Sequence, residues 1–230
     1  MAMIELDHFT FDRRSLSEAD LKALVINALR SELESSPHAA IANEFRLGST
    51  PVRVDLAALG KNFIGIEIKS SKDTLKRLPH QMVAYTSYFD RVILAVADTH
   101  LPNLDWKSLR SVEVWSISES GKVRVVSQPT QIAECAPLSD LLTAEQRSRH
   151  KISEGSSEQE IATAFDAEFR KRFAETSLAF WEKVKGRRIL RDDLNILSRF
   201  RDRRLELERW SGTQDVEWHD WSAQVSQSLS

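Results

Sequence analysis

The chain has 230 residues, enough for one large domain or for a core with a helical extension. Its net charge of −2, from 32 basic and 34 acidic residues, excludes a protein that coats duplexes through overall positive charge, so nucleic-acid contact must rest on a local basic surface. No stretch approaches the ~20 apolar residues of a membrane span, Met1–Asp7 is not a secretory signal, and a single cysteine, Cys135, excludes an intrachain disulfide. A cytoplasmic protein is expected, with Cys135 a small buried residue and not a nucleophile.

Ser15 and Ser17 each precede an acid by three residues, Glu18 and Asp20, as a capping box requires. Leu21, Leu24, Val25, Ala28 and Leu29 then recur at helical spacing, which predicts a helix over 16–34, ended by Pro37. From Asn43 the period changes to two. Val52, Val54 and Leu56 alternate with Arg53, Asp55 and Ala57, and Ile64, Ile66 and Ile68 alternate with Gly65, Glu67 and Lys69. This predicts two strands, each with an apolar and a functionalised face. Gly60-Lys61-Asn62 suits the tight turn of a hairpin.

A helix follows, starting near Leu78 with Pro79 in its first turn and reaching about Phe89, with Met82, Tyr85 and Phe89 inward. The apolar run Arg91–Ala97 predicts a central strand covered on both faces. Val112–Ile117 and Lys122–Val126 read as two further strands. After Pro137 the pattern is helical: Leu138–His150, Gln159–Arg172, Thr176–Lys185 and a long charged helix over Ile189–Trp210, with a linker at Ser153–Ser157.

A three-residue turn at 60–62 pairs Leu59 with Phe63. That register sets Asp55 opposite Glu67 and Arg53 opposite Lys69, with opposed Cβ atoms ~4.5–5.5 Å apart. Two carboxylates so placed repel by about 4 kcal/mol at an effective dielectric near 20. Either one is protonated or a cation lies between them. Oxygen ligands with open positions suit Mg²⁺, or Mn²⁺, and the Ile68 carbonyl is a further oxygen along the strand edge. Such an ion binds a phosphate oxygen and acidifies a water; Lys69 orients that water.

Arg53-Val54-Asp55 followed by Gly65-Ile66-Glu67-Ile68-Lys69-Ser70 resembles the PD-(D/E)XK nuclease signature, with Val54 in the place of the motif's proline. The run from Glu67 to Val96 is similar to the sce7726-type bacterial members of that superfamily. The resemblance spans about residues 15–130. It implies an α/β fold: a restriction endonuclease-like αβββαβ core with a central mixed sheet flanked by helices, over residues 1–137, plus a helical C-terminal extension over 138–230. It implies a Mg²⁺-dependent deoxyribonuclease, expected to be an endonuclease. Asp55, Glu67, Lys69 and Gln81 are its catalytic residues; Glu44, Asp55, Glu67 and Ile68 ligate the metal. Gln81 and Tyr85 form the Q-x-x-x-Y pair of RecB-like members.

Arg53, Ser70, Lys72, Arg77 and Tyr85 are the expected substrate contacts, with Lys76 beside them. For Tyr85 the commoner role of such a residue is core packing. Gln81, in a first helical turn, places its amide beside Lys69 and a phosphate, aided by the free N–H groups of the helix start. His80 carries no assignment. The Arg cluster 199, 201, 203 and 204 is better read as the outer face of an amphipathic helix than as a clamp, and Trp181, Trp210, Trp218 and Trp221 as packing residues. The alternative is a non-catalytic nucleic-acid-binding protein on this fold, or one whose C-terminal helices recruit a partner or a second copy.

Overall fold

The computed structural model describes residues 15–35, 39–132 and 136–198. The first element among the described residues is a helix, α1 (Glu18–Glu34). Three strands follow, β1 (Ala40–Arg46), β2 (Arg53–Leu59) and β3 (Phe63–Lys69), then α2 (Leu78–Thr86) and β4 (Arg91–Ala97). Beyond them come β5 (Glu113–Ile117), β6 (Val123–Ser127), the short α3 (Ala144–Arg149) and the 27-residue α4 (Glu158–Val184). The strands lie in one sheet in the order β1-β2-β3-β4-β5-β6. Pairings at both ends are antiparallel, and β3–β4 and β4–β5 are parallel. The chain is therefore α/β with a mixed six-stranded sheet flanked by helices.

Of the two serines, Ser17 caps α1: its hydroxyl accepts the Asp20 N–H, and Asp20 accepts the Ser17 N–H at 2.9 Å. The inward stripe of α1, with Leu21, Leu24, Val25 and Leu29, packs on one sheet face against Leu56, Ile64, Ile66 and Ile93. The opposite face packs against Met82, Tyr85 and Phe89. Both faces of β3 and β4 are buried, as their near-continuous apolar runs require.

The segment after Pro137 differs locally from the predicted helices. Leu138–Leu141 is a 3₁₀ turn ahead of α3. The helices predicted over 159–172 and 176–185 are one, because nothing between Phe173 and Ser177 breaks a helix. Phe165, Phe169 and Phe173 of α4 join the core beneath α2, whereas Phe180 and Val184 join the core beneath α1. The helix thus passes over the outer edge of β1. There the Ser177 hydroxyl accepts the Ile41 N–H at 2.8 Å and reaches the Ile41 carbonyl at 3.3 Å. An exposed strand edge is thereby covered.

In its described part, the helix predicted over Ile189–Trp210 is instead a 3₁₀ turn over Arg191–Leu197. Asp193 explains it: its carboxylate accepts two bonds from Arg187 and the Leu190 N–H at 2.9 Å, closing the chain into a tight turn. Residues 199–210, the C-terminal tryptophans beyond them and Cys135 lie outside the described residues. Trp181 packs on the α1 core, donating to the Ala39 carbonyl at 3.3 Å.

Gly65 on β3 lies against Phe89. An added Cβ would meet the ring atoms Cε2 and Cγ at 2.6 and 2.7 Å. Phe89 is only 3% exposed and stacks on Phe63 with centroids 4.4 Å apart, so the ring has nowhere to move. Gly65→Ala is expected to destabilise the fold by about 1–3 kcal/mol, lowering the melting temperature by about 3–10 °C, measurable by circular dichroism.

Candidate active site

The β2–β3 hairpin has the predicted register from Leu59–Phe63 to Leu56–Ile66, but the predicted Asp55–Glu67 and Arg53–Lys69 pairs are not part of the ladder. The ladder ends there. Beyond it the strands part, and the Asp55 carboxylate enters the opening, where Oδ2 accepts the Ile68 N–H at 2.7 Å. An extended residue projects its N–H and C=O toward one neighbour, so the Ile68 carbonyl faces the same opening.

The period-two pattern of β2 does not run through Asp55. Val52 and Val54 belong to the core beneath α2, yet Leu56 belongs to the core beneath α1. On β1, Asn43 pairs with Leu56 and Phe45 with Val54, which sets Glu44 across from Asp55. Glu44 has φ 59°, a left-handed conformation costly for a side chain other than glycine. Its turn reverses the phase of both strands at this level. The outcome is that Val52 and Val54 do not share the face of Leu56, and Asp55 is turned into the gap between strands.

Glu67 is 2% exposed. Its Oε1 accepts the Lys69 ammonium at 2.6 Å and the Gln81 amide at 2.7 Å, and its Oε2 takes the Tyr85 hydroxyl at 2.6 Å. The structure therefore brings together Asp55, Glu67, Lys69, Gln81 and Tyr85 at the end of the β2–β3 ladder. Burial first, and the Glu67 carboxylate second, push the Asp55 carboxyl up to about 7. Lys22 and the Ile68 N–H pull it the other way.

Other expected residues stand differently. The Glu44 carboxylate pairs with Arg53 at 3.0 Å, both side chains well exposed. Among the described residues, no three His, Cys, Asp or Glu side chains converge closely enough to hold a metal ion, so Glu44 does not complete a triad with Asp55 and Glu67. Tyr85 is fully buried, so it cannot touch a substrate directly; its phenol, pushed above its ordinary value by burial and by Glu67, serves the Glu67 carboxylate or the Arg53 carbonyl at 2.9 Å. The Ser70 hydroxyl is engaged by Asp73 at 2.6 Å and its carbonyl by His100 at 2.7 Å, which orders the loop after Lys69. Lys72, Lys76 and Arg77 are exposed along that loop.

Gln81 departs from the expected phosphate contact. Its amide nitrogen faces Glu67 and Tyr85, with Oε1 turned from both; the reverse orientation would set two acceptors 2.7 Å apart. That Oε1 is buried without a hydrogen-bond partner. A buried acceptor without a donor is costly, and an amide oxygen there suits a cation or a water, not a phosphate oxygen. The candidate oxygen donors are the Asp55 and Glu67 carboxylates and the Ile68 carbonyl, with the orphan Gln81 amide oxygen on a residue bonded to Glu67. Mg²⁺ is commonly held by one or two carboxylates with waters and substrate phosphates, so these residues fit it.

Sequence reasoning missed Lys22. This lysine of α1 is buried, with Nζ 2.7 Å from Glu18, 3.3 Å from Asn43 and 3.9 Å from Asp55. The signal was a lone charge within Leu21–Ile26, otherwise wholly apolar.

The chain belongs to the family of bacteriophage P4 protein cII, whose model matches residues 12–198. No curated protein matches it. Among solved structures, a protein of unknown function from Silicibacter pomeroyi is similar, with 19% identity and a TM-score of 0.40, covering 62% of this chain and 97% of that one. No helix among the described residues is long and apolar enough to cross a membrane.

Proposed function

We propose that the chain is a metal-dependent nuclease of the PD-(D/E)XK superfamily that hydrolyses phosphodiester bonds in DNA as an endonuclease. One observation carries this reading: a buried carboxylate, Glu67, and a partly buried one, Asp55, lie close to one another where β2 and β3 part, with the Lys69 ammonium on Glu67. Burial and the nearby Glu67 raise the Asp55 carboxyl, and acids perturbed by burial plus a specific charge partner concentrate at functional sites. The order helix, three strands, helix, strand over residues 18–97 supports a restriction endonuclease-like αβββαβ core.

Asp55 and Glu67 would hold Mg²⁺ or Mn²⁺, with the Ile68 carbonyl and Gln81 Oε1 as neutral oxygens. When bound, the ion supplies charge stabilisation at the phosphodiester and acidifies a water. Lys69 is poised to orient the attacking water and to offset charge on the phosphate. Gln81 and Tyr85 fix the Glu67 rotamer. Arg53, Lys72, Lys76 and Arg77 form the exposed basic rim for the backbone.

The test is cleavage of circular and linear DNA with Mg²⁺, Mn²⁺ or EDTA. The wild type is expected to cut circles with metal and not with EDTA, and Lys69→Ala to lose activity by at least about 10²-fold. Absence of cutting by folded protein with either metal would overturn the reading. One observation favours the alternative of a non-catalytic nucleic-acid-binding protein: both Glu67 oxygens already accept protein donors. That reading requires DNA binding without metal-dependent cutting.

A further inference from the structure

On the α1 side of the Asp55–Glu67 pair lies a second cation. Lys22 leaves the second turn of α1 with 5% of its side chain exposed. Three oxygens from three elements surround its Nζ: Glu18 Oε1 at 2.7 Å, Asn43 Oδ1 at 3.3 Å and Asp55 Oδ1 at 3.9 Å. A simple i,i+4 pair with Glu18 would sit at the surface and need no burial. Burying an ammonium is costly unless it is paired, and here the pairing reaches inward to the carboxylate of the candidate site. Two carboxylates and an amide oxygen are also the donors a hard divalent cation takes. Asp55 therefore stands between two positions for positive charge, one shared with Glu67 and one already filled by Lys22.

We propose that Lys22 is a resident cation in the seat a second metal ion would otherwise take beside Asp55, so that the site works with a single dication. The inference rests on the nuclease reading above. A second dication would meet a fixed ammonium in a buried setting, where like charges are poorly screened. The lysine charge needs no supply from solution, so the rate follows metal concentration to first order. Lys22 acts through Asp55 and is a positioning residue.

Calorimetric titration of the full chain with Mn²⁺ tests this. The wild type is expected to bind a single Mn²⁺, and Lys22→Gln to bind a second one in the vacated seat. Two ions in the wild type, or one in folded Lys22→Gln, would overturn the inference and leave the nuclease reading intact. A wild type that binds no Mn²⁺ and cuts nothing overturns both. Should Lys22→Gln fail to fold, the wild-type stoichiometry and the Mn²⁺ dependence of its cleavage decide: a Hill slope of one supports the resident cation, and a slope of two refutes it.

Discussion

Asp55→Asn is expected to make the metal-free protein more stable at pH 8 while abolishing the proposed metal-dependent cleavage. The Asp55 carboxyl moves from an ordinary value of 3.8 to about 7 on folding, through burial and the nearby Glu67. The folded state thus holds this proton more tightly than the unfolded chain. Well below pH 4 both states are protonated and the residue costs nothing. As pH rises from about 4 to 7 the unfolded chain ionises first, and stability drains away; above 7 the full cost is present, as much as about 4 kcal/mol. Asparagine removes the charge and keeps an oxygen for the Ile68 N–H. Denaturant unfolding in EDTA should show a gain for the variant that is absent well below pH 4, grows to pH 7 and then levels. With saturating Mg²⁺ the order should reverse, because only the wild type gains ligand binding energy. Loss of a metal carboxylate is expected to lower cleavage by at least about 10³-fold, several kcal/mol of charge stabilisation. Equal or lower stability of the variant at pH 8 would contradict this account of the site.

Glu67→Ala is expected to do the opposite to stability. Glu67 is the hub of the cluster, accepting Lys69, Gln81 and Tyr85 in a position only 2% exposed. Truncation strands the half-buried Lys69 ammonium, while the phenol keeps the Arg53 carbonyl, at a cost of about 3–5 kcal/mol and a drop of about 6–20 °C in melting temperature. Glu67→Gln separates fold from chemistry. The amide oxygen still accepts from Lys69 and Gln81, while its nitrogen donates to the Tyr85 oxygen. The phenol proton then turns to the Arg53 carbonyl, already 2.9 Å away. The variant should therefore melt near the wild type and yet lose at least about 10³-fold in cleavage, since a neutral amide cannot hold the dication. Thermal melts and plasmid cleavage on the same samples check both halves. Glu67→Gln that binds DNA as the wild type does, with neither protein cutting, would favour the non-catalytic reading.

The sequence by itself determined what is local. The Ser17 capping box, the 60–62 turn, the hairpin register from Leu59–Phe63 to Leu56–Ile66 and the doubly buried β4 all follow from turn chemistry and hydrophobic period, which act over a few residues. So does the spacing that brings Asp55, Glu67 and Lys69 to one end of the hairpin. The tertiary structure decided the rest. Alternation alone places Val54 and Leu56 on one face; the left-handed Glu44, on the neighbouring strand, reverses the phase and turns Asp55 into the opening. Lys22 is in sequence only a lone charge within an apolar run, and the tertiary fold alone brings Asn43 of β1 and Asp55 of β2 to it as a buried cation. Gln81 reads as a donor to phosphate until Glu67 and Tyr85 claim its nitrogen. The passage of α4 over the β1 edge joins Ser177 to Ile41 across 136 positions. Contacts of that span leave no periodic trace, because each partner's residue type is compatible with many environments and only the closed fold selects one.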